Sequence, residues 1–258
     1  MKLGDELLPE EIPEDHPRVL SLKYRHKITD GLEKNVVAKA GLIAHGRGEA
    51  FDYLIGEKTI KPAKDAIKAA CALLLLSNHP IISVNGNIAA LVPKELVELS
   101  KVLECALEVN LFYRRPERLI AIEEELKNAG AKEVLGVHEK TELEHLSSKR
   151  RIVDPKGIAI ADTVLVPLED GDRTEALKAI NKNVIAIDLN PMSRTSIKAD
   201  ITIVDNVVRC IPRMVEVIKD LKKLQRHELE LIYKEFNQKK NLKDSLNEMI
   251  QYLTNFKF

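Results

Sequence analysis

Strand-length apolar runs separated by stretches of helical period constrain this chain more than any other feature. The runs lie at 81–84, 105–111, 133–137, 163–167, 184–188 and 201–204. Helical spacing is plain at 64–76, where Ala66, Ile67, Ala70, Leu73 and Leu74 recur on one face. It returns at 93–103 behind Pro93, at 117–129 before Gly130, at 174–180 and from Val207 to about Leu224. A charged stretch at 19–34, ended by Gly31 and Asn35, reads as an N-terminal helix. Short apolar strands joined by helices build a mostly parallel sheet covered on both faces. The expected architecture is therefore an α/β, three-layer Rossmann-like fold. The polar strip at 139–156 is read as a loop or insertion, because the strand–helix alternation resumes at once. Residues 1–258 read as one domain, with 213–258 as a helical C-terminal extension. Val217, Leu221, Leu224, Leu231 and Phe236 stand there at near-heptad spacing. They predict a long helix that packs on the body or pairs with a second copy.

Composition removes several classes of function. Forty Lys and Arg balance forty Asp and Glu, giving no formal net charge, whereas nucleic-acid binders carry a basic excess. The acidic N-terminus has no apolar stretch of the kind a secretory signal needs. The longest apolar run, 69–76, is far shorter than the ~20 residues that span a bilayer. Cytoplasmic localisation with no membrane or nucleic-acid partner is expected. Cys71, Cys105 and Cys210 are far apart and lack metal-ligand spacing; they read as reduced core thiols.

Ligands of open parallel sheets bind beyond the carboxyl ends of the strands. Five of the predicted strands leave into polar loops: Asn85-Gly86-Asn87, Arg114-Arg115, the 169–174 loop, Asp188-Leu189-Asn190 with Arg194-Thr195, and Asp205-Asn206. Asp188 is placed to hold ribose hydroxyls, and Asn190 can both donate to and accept from an adenine edge. Asp172 or Thr174 is the expected cap of the helix after the third exit, and Asp172 is also a candidate for magnesium. The glycine-rich segment His45-Gly46-Arg47-Gly48-Glu49 reads as a turn region. It matches neither the dinucleotide fingerprint nor a Walker A loop, yet Arg47 could grip a phosphate with its planar fork. Neither a Ser/His/Asp nor a Cys/His set is legible. Arg, Asn and Asp on loops suit phosphate-rich substrates and electrostatic catalysis.

Five blocks, taken together, resemble one family. They are His45-Gly46-Arg47-Gly48-Glu49-Ala50-Phe51-Asp52-Tyr53-Leu54, Ser83-Val84-Asn85-Gly86-Asn87, the run from Val166 through Asp170-Gly171-Asp172-Arg173-Thr174 to Leu177, Ile187-Asp188-Leu189-Asn190-Pro191 with Ser193-Arg194-Thr195, and Ile203-Val204-Asp205-Asn206. In this order they resemble the archaeal phosphopantothenate synthetases, or 4-phosphopantoate–β-alanine ligases. The resemblance runs from about Pro17 to Pro212 and implies a homodimeric nucleotide-binding ligase domain. It implies that (R)-4-phosphopantoate and β-alanine are joined to 4′-phosphopantothenate, in archaeal coenzyme A biosynthesis. ATP would be split to AMP and pyrophosphate through an acyl-adenylate, with Mg2+ at the phosphates. Carried over by motif, ATP contacts fall on Arg25, Arg47, Asp188, Leu189, Asn190, Arg194, Thr195, Asn206 and Val207. Strand-end position adds Asn85, Asn87 and Arg114 as candidates for 4-phosphopantoate, with Arg47, Asn85, Asn87 and Asp172 as catalytic candidates. The competing readings are a non-enzymatic nucleotide sensor and a nicotinamide-dependent reductase.

Overall fold

The computed structural model describes residues 13–16, 18–143 and 149–257. The acidic N-terminal stretch and Pro17 lie outside the described residues. In chain order the elements are α1 (Val19–Glu33), α2 (Lys39–Leu54), α3 (Lys61–Leu76), β1 (Pro80–Val84), α4 (Gly86–Leu91), α5 (Pro93–Leu103), β2 (Ala106–Val109) and α6 (Pro116–Asn128). A short ribbon, β3 (Thr141–Glu142) with β4 (Ile152–Val153), precedes β5 (Thr163–Pro167). Then follow α7 (Gly171–Ala179), β6 (Asn183–Ile187), α8 (Arg194–Lys198), β7 (Ile201–Ile203), α9 (Val207–Leu221), α10 (Arg226–Glu235) and α11 (Gln238–Thr254).

Five strands form one sheet in the order β2-β1-β5-β6-β7, every pair parallel. The chain runs outward from β1 to β2, then returns to β5 on the other side of β1. Strand order therefore reverses between β1 and β5, which leaves a crevice at their carboxyl ends. Side chains alternate between the two faces. Ile82, Val84, Leu107, Val109, Leu165, Ile185 and Ile187 point into the larger core, with Ala66, Ala70, Leu99 and Ile211 of α3, α5 and α9. Ile81, Val164, Val166, Val184 and Ala186 face the smaller core, with Leu177 of α7. This is the expected three-layer arrangement. Cys71 and Cys210 are buried and all three cysteines are free. Among the described residues no helix is long and apolar enough to cross a membrane.

Four expectations are corrected. The glycine-rich segment 45–49 is not a turn: it lies inside α2. Close packing requires a glycine only further up the helix, at Gly41, where a side chain would collide with Asn87; one on Gly46 would meet nothing and one on Gly48 would make ordinary contact with Leu189. The run 133–137 is not a strand, and only Leu135 bridges to Glu108 of β2. Gly136, at φ +78°, turns the chain there. The cap of α7 is Asp170, whose side chain accepts from the Arg173 amide, so Asp172 and Thr174 fall within the helix. The tail is not one long helix. A capping box of Gln225 and Glu228 restarts it as α10, and Asn237 caps α11. Gln238 and Asn241 bond the backbone of Thr202 and so seat α11 against β7.

Candidate active site

A cleft of about 250 Å³ lies over the carboxyl ends of the strands. Its walls come from α2, from the start of α4, from the segment after β2, and from the exits of β5, β6 and β7. Asn85 sits at the reversal point and ties its two sides together. Its Oδ1 caps α4 by accepting from the Ile88 amide, and its Nδ2 donates to the carbonyls of Pro167 and Leu168 beyond β5. Asn87 donates to the Gly41 carbonyl at 2.8 Å and holds α2 against α4.

One wall is α2, which presents His45, Arg47 and Glu49 to the cleft. Arg25 of α1 stands behind Glu49 in a bidentate pair, Nη2 to Oε2 at 2.7 Å, and Ser21 adds a second donor. Burial works against an ionised Glu49, but these donors outweigh it and hold the carboxyl below its ordinary range. Burial also lowers the pKa of His45, which favours a neutral imidazole.

The opposite wall is formed by the exits of β6 and β7. Asp188 accepts from Ser193 Oγ at 2.5 Å and from the Asn190 amide at 2.9 Å. Burial nevertheless lifts its pKa above the usual value. Asn190 accepts from the Met192 amide and Asn206 caps α9, so both asparagines are held in place. A buried ionic clamp joins the two walls. Arg209 of α9 grips Asp52 of α2 at 2.6 and 3.0 Å, and Asp205 at 2.7 and 3.0 Å. Asp52 also accepts from the Asn206 amide group at 2.8 Å, and Thr59 donates to Asp205.

The floor between β1 and β5 is ionic and carries residues that sequence reasoning missed. Glu169 lines the cleft and pairs with Arg150 and with Arg173, the latter at 2.8 Å. Arg150 comes from the polar strip read as a loop or insertion, and also pairs with Asp170. Arg118, half-buried in the first turn of α6, lines the cleft as well. Neither arginine carries a sequence signal, because each is recognisable only by what surrounds it.

The structure thus brings together Arg47, Asn85, Asn87, Asp188, Leu189, Asn190, Asn206 and Val207 around one cleft, with Arg25 reaching it through Glu49. Four candidates, Arg194, Asp172, Arg114 and Thr195, lie elsewhere. Arg194 is exposed and pairs on the surface with Asp172 and Glu175, and neither Arg194 nor Asp172 lines the cleft. Arg114 donates to the Gly136 carbonyl and does not line the cleft. Thr195 is buried and donates to the Glu169 carbonyl, so it props the floor from below. Among the described residues no group of three or more His, Cys, Asp or Glu side chains is set to hold a metal ion. A magnesium ion carried on phosphate oxygens needs one or two carboxylates only.

Residues 62–252 match the model of the phosphopantothenate/pantothenate synthetase family. The chain belongs to that family. The match spans every strand exit of the main sheet. Similarity to individual relatives reaches further toward the N-terminus. The 4-phosphopantoate–β-alanine ligase of Thermococcus kodakarensis is 56% identical over 244 residues, 94% of each chain. Its namesake in Thermococcus onnurineus is 55% identical over 95% of this chain and 94% of its own. That of Methanosarcina mazei is 48% identical over 94% of this chain and 96% of its own. Family membership therefore rests on nearly the whole chain.

Proposed function

We propose that this synthetase-family chain is an ATP-dependent ligase that condenses 4-phosphopantoate with β-alanine, releasing AMP and pyrophosphate. The observation that carries the reading is its end-to-end similarity to relatives named 4-phosphopantoate–β-alanine ligases. The cleft supplies chemistry that suits the reaction. A carboxylate is a poor electrophile and must be activated before an amine can attack it. One carboxylate oxygen of 4-phosphopantoate attacks the α-phosphorus of ATP. The new acyl–oxygen–phosphorus linkage forms as the bond to the β-phosphate oxygen breaks, and pyrophosphate leaves. The β-alanine nitrogen then attacks the acyl carbon, the C–O bond to AMP breaks, and the amine proton is lost.

In this reading the adenosine end lies against the exits of β6 and β7. Asp188 accepts from ribose hydroxyls, Asn190 and Asn206 offer amide edges, and Leu189 and Val207 supply apolar contact. Arg47 faces the phosphates from α2 and draws charge away from the α-phosphorus as it is attacked. Magnesium, when bound, neutralises the leaving pyrophosphate. Asn85, already committed to holding α4 and the β5 exit, positions the floor and not the substrate. Holding the reactants in line can supply much of the barrier reduction, up to ~7–11 kcal/mol. The reading also expects a homodimer in the cytoplasm.

The test is product formation with purified protein, omitting one substrate at a time. 4′-Phosphopantothenate, detected by mass spectrometry, is expected only when ATP, 4-phosphopantoate and β-alanine are all present. ATP binding without product in the full mixture would overturn the ligase reading in favour of a nucleotide sensor.

A further inference from the structure

We infer that Arg118 is the anion anchor of a second subsite in this cleft, one that takes the phosphate monoester end of the organic substrate. The inference rests on the ligase reading only for the identity of the molecule that carries the phosphate.

The argument begins with charge compensation. A buried guanidinium is costly unless an anion accompanies it. The carboxylates Glu49 and Glu169 on the cleft wall each have an arginine partner. Arg118 has no carboxylate partner among the described residues. Among the described residues it donates to two backbone carbonyls, Nη1 to Tyr113 and Nη2 to Val36, both at 2.9 Å. Its Nε is buried with no partner. The carbonyl bonds fix the plane of the guanidinium without neutralising it. Gly86 makes the placement possible, because a side chain there would collide with Nη2. A planar cation, pre-oriented, half-buried and uncompensated, is a ready receptor for a phosphate dianion.

Position separates this anchor from the nucleotide end. The Arg118 guanidinium lies against Gly86 at the exit of β1, whereas Asp188 and Asn190 follow β6, two strands away in the sheet. At the usual strand spacing that offset is ~10 Å, so one phosphate group cannot serve both ends. Beyond Asn85 and Asn87, the wall near Arg118 carries apolar groups. Leu91 and Leu111 are buried there, and Phe112 and Tyr113 form an edge-to-face pair with ring centroids 5.0 Å apart. An anion anchor beside an apolar wall fits a phosphate monoester with a branched aliphatic middle. 4-Phosphopantoate has that form: its gem-dimethyl carbon separates the phosphate from the carboxylate to be activated. Arg114, the anchor expected from strand-end position, is engaged with the Gly136 carbonyl outside the cleft.

The test compares Arg118→Ala and Arg118→Lys with the unaltered protein. Steady-state KM values for each substrate are measured, with calorimetric titration of 4-phosphopantoate and a thermal melt for every variant. Arg118→Ala is expected to raise KM and Kd for 4-phosphopantoate by ~10–100-fold, the worth of a charge-assisted hydrogen-bond set, and to leave KM for ATP unchanged. Arg118→Lys keeps the charge without the fork, so part of the loss returns; it carries the test if the alanine variant fails to fold. Unaltered protein that makes no product, but whose affinity for 4-phosphopantoate falls on Arg118→Ala, would support the subsite while removing the ligase reading. Product formation with KM for 4-phosphopantoate unmoved in both variants would overturn the subsite. So would unaltered protein that binds no 4-phosphopantoate.

Discussion

Replacing Arg209 with methionine tests the clamp that joins the two walls of the cleft. The guanidinium is the partner of two carboxylates, Asp52 and Asp205, at 2.6 and 2.7 Å. The Asp52 side chain is 7% exposed and that of Asp205 is not exposed at all. Methionine keeps most of the stem but strands both acids. Removing one member of a buried pair costs ~3–5 kcal/mol, because a buried charge is left alone. For a chain of this size each kcal/mol moves Tm by ~2–4 °C, so Arg209→Met should lower Tm by roughly 6–20 °C. The sign of the pH effect follows from Asp205. Burial already lifts its pKa above the usual value, with Arg209 pulling it down. Without Arg209 the folded value rises further, so stability falls as pH climbs through it, and the deficit is larger at pH 8 than at pH 5. Thermal melts followed by circular dichroism, at both pH values, read the effect. The double variant Arg209→Met with Asp52→Asn should recover part of it. KM for ATP should rise too, since Asp52 anchors Asn206. A single variant melting within ~2 °C of the unaltered protein, as an inert surface change would, would refute the clamp.

Three further outcomes are expected. Gly86→Ala places a methyl group well under 3.0 Å from the Val36 carbonyl oxygen; a loss of at least ~2 kcal/mol in urea denaturation is expected from overpacking. Arg47→Ala should lower kcat by ~100-fold, as removal of a donor at a charge-developing centre does, with the melt unchanged. Glu108 is pushed up to about 7 by burial, against amide bonds from Asp154 and Ile158. Its folded value lies above the ordinary 4.5, so its stabilising contribution is complete below about 4.5 and lost as pH rises through about 7. The stability difference between the unaltered protein and Glu108→Gln should therefore shrink by up to ~1.4 kcal/mol per pH unit across that window, read by urea denaturation.

The parallel sheet was legible because β5 and β6 are buried on both faces and so read as unbroken apolar runs. The strand-end rule then pointed to Asp188, Asn190 and Asn206 from sequence alone. The glycine-rich segment misled for a physical reason. Glycines weaken helix propensity, but tertiary context overrides it, and at Gly41 the missing side chain lets Asn87 approach α2 closely. Leu135 sits at the edge beside β2 and makes a single bridge before Gly136 turns the chain, so an apolar run there yields no strand. Of the near-heptad residues of the tail, Leu221 is buried and Val217, Leu224 and Phe236 pack against the core, but Leu231 is exposed; the tail runs in three pieces, and Gln225 and Asn237 set the breaks. Arg118 and Arg150 were invisible because an arginine's role depends on whether an anion meets it, and no spacing rule records that. Arg194 shows the converse. It stands in a family block, yet its side chain lies on the surface beside Asp172 and Glu175 and outside the cleft lining.

The claim on which the rest depends is activation of 4-phosphopantoate as an adenylate in this cleft. The direct measurement uses 4-phosphopantoate labelled with 18O in its carboxylate, turned over with ATP and β-alanine. The account predicts one 18O atom in AMP for every 4′-phosphopantothenate formed, and none in pyrophosphate. Label appearing in inorganic phosphate alongside ADP would contradict it and assign the activation to an acyl-phosphate.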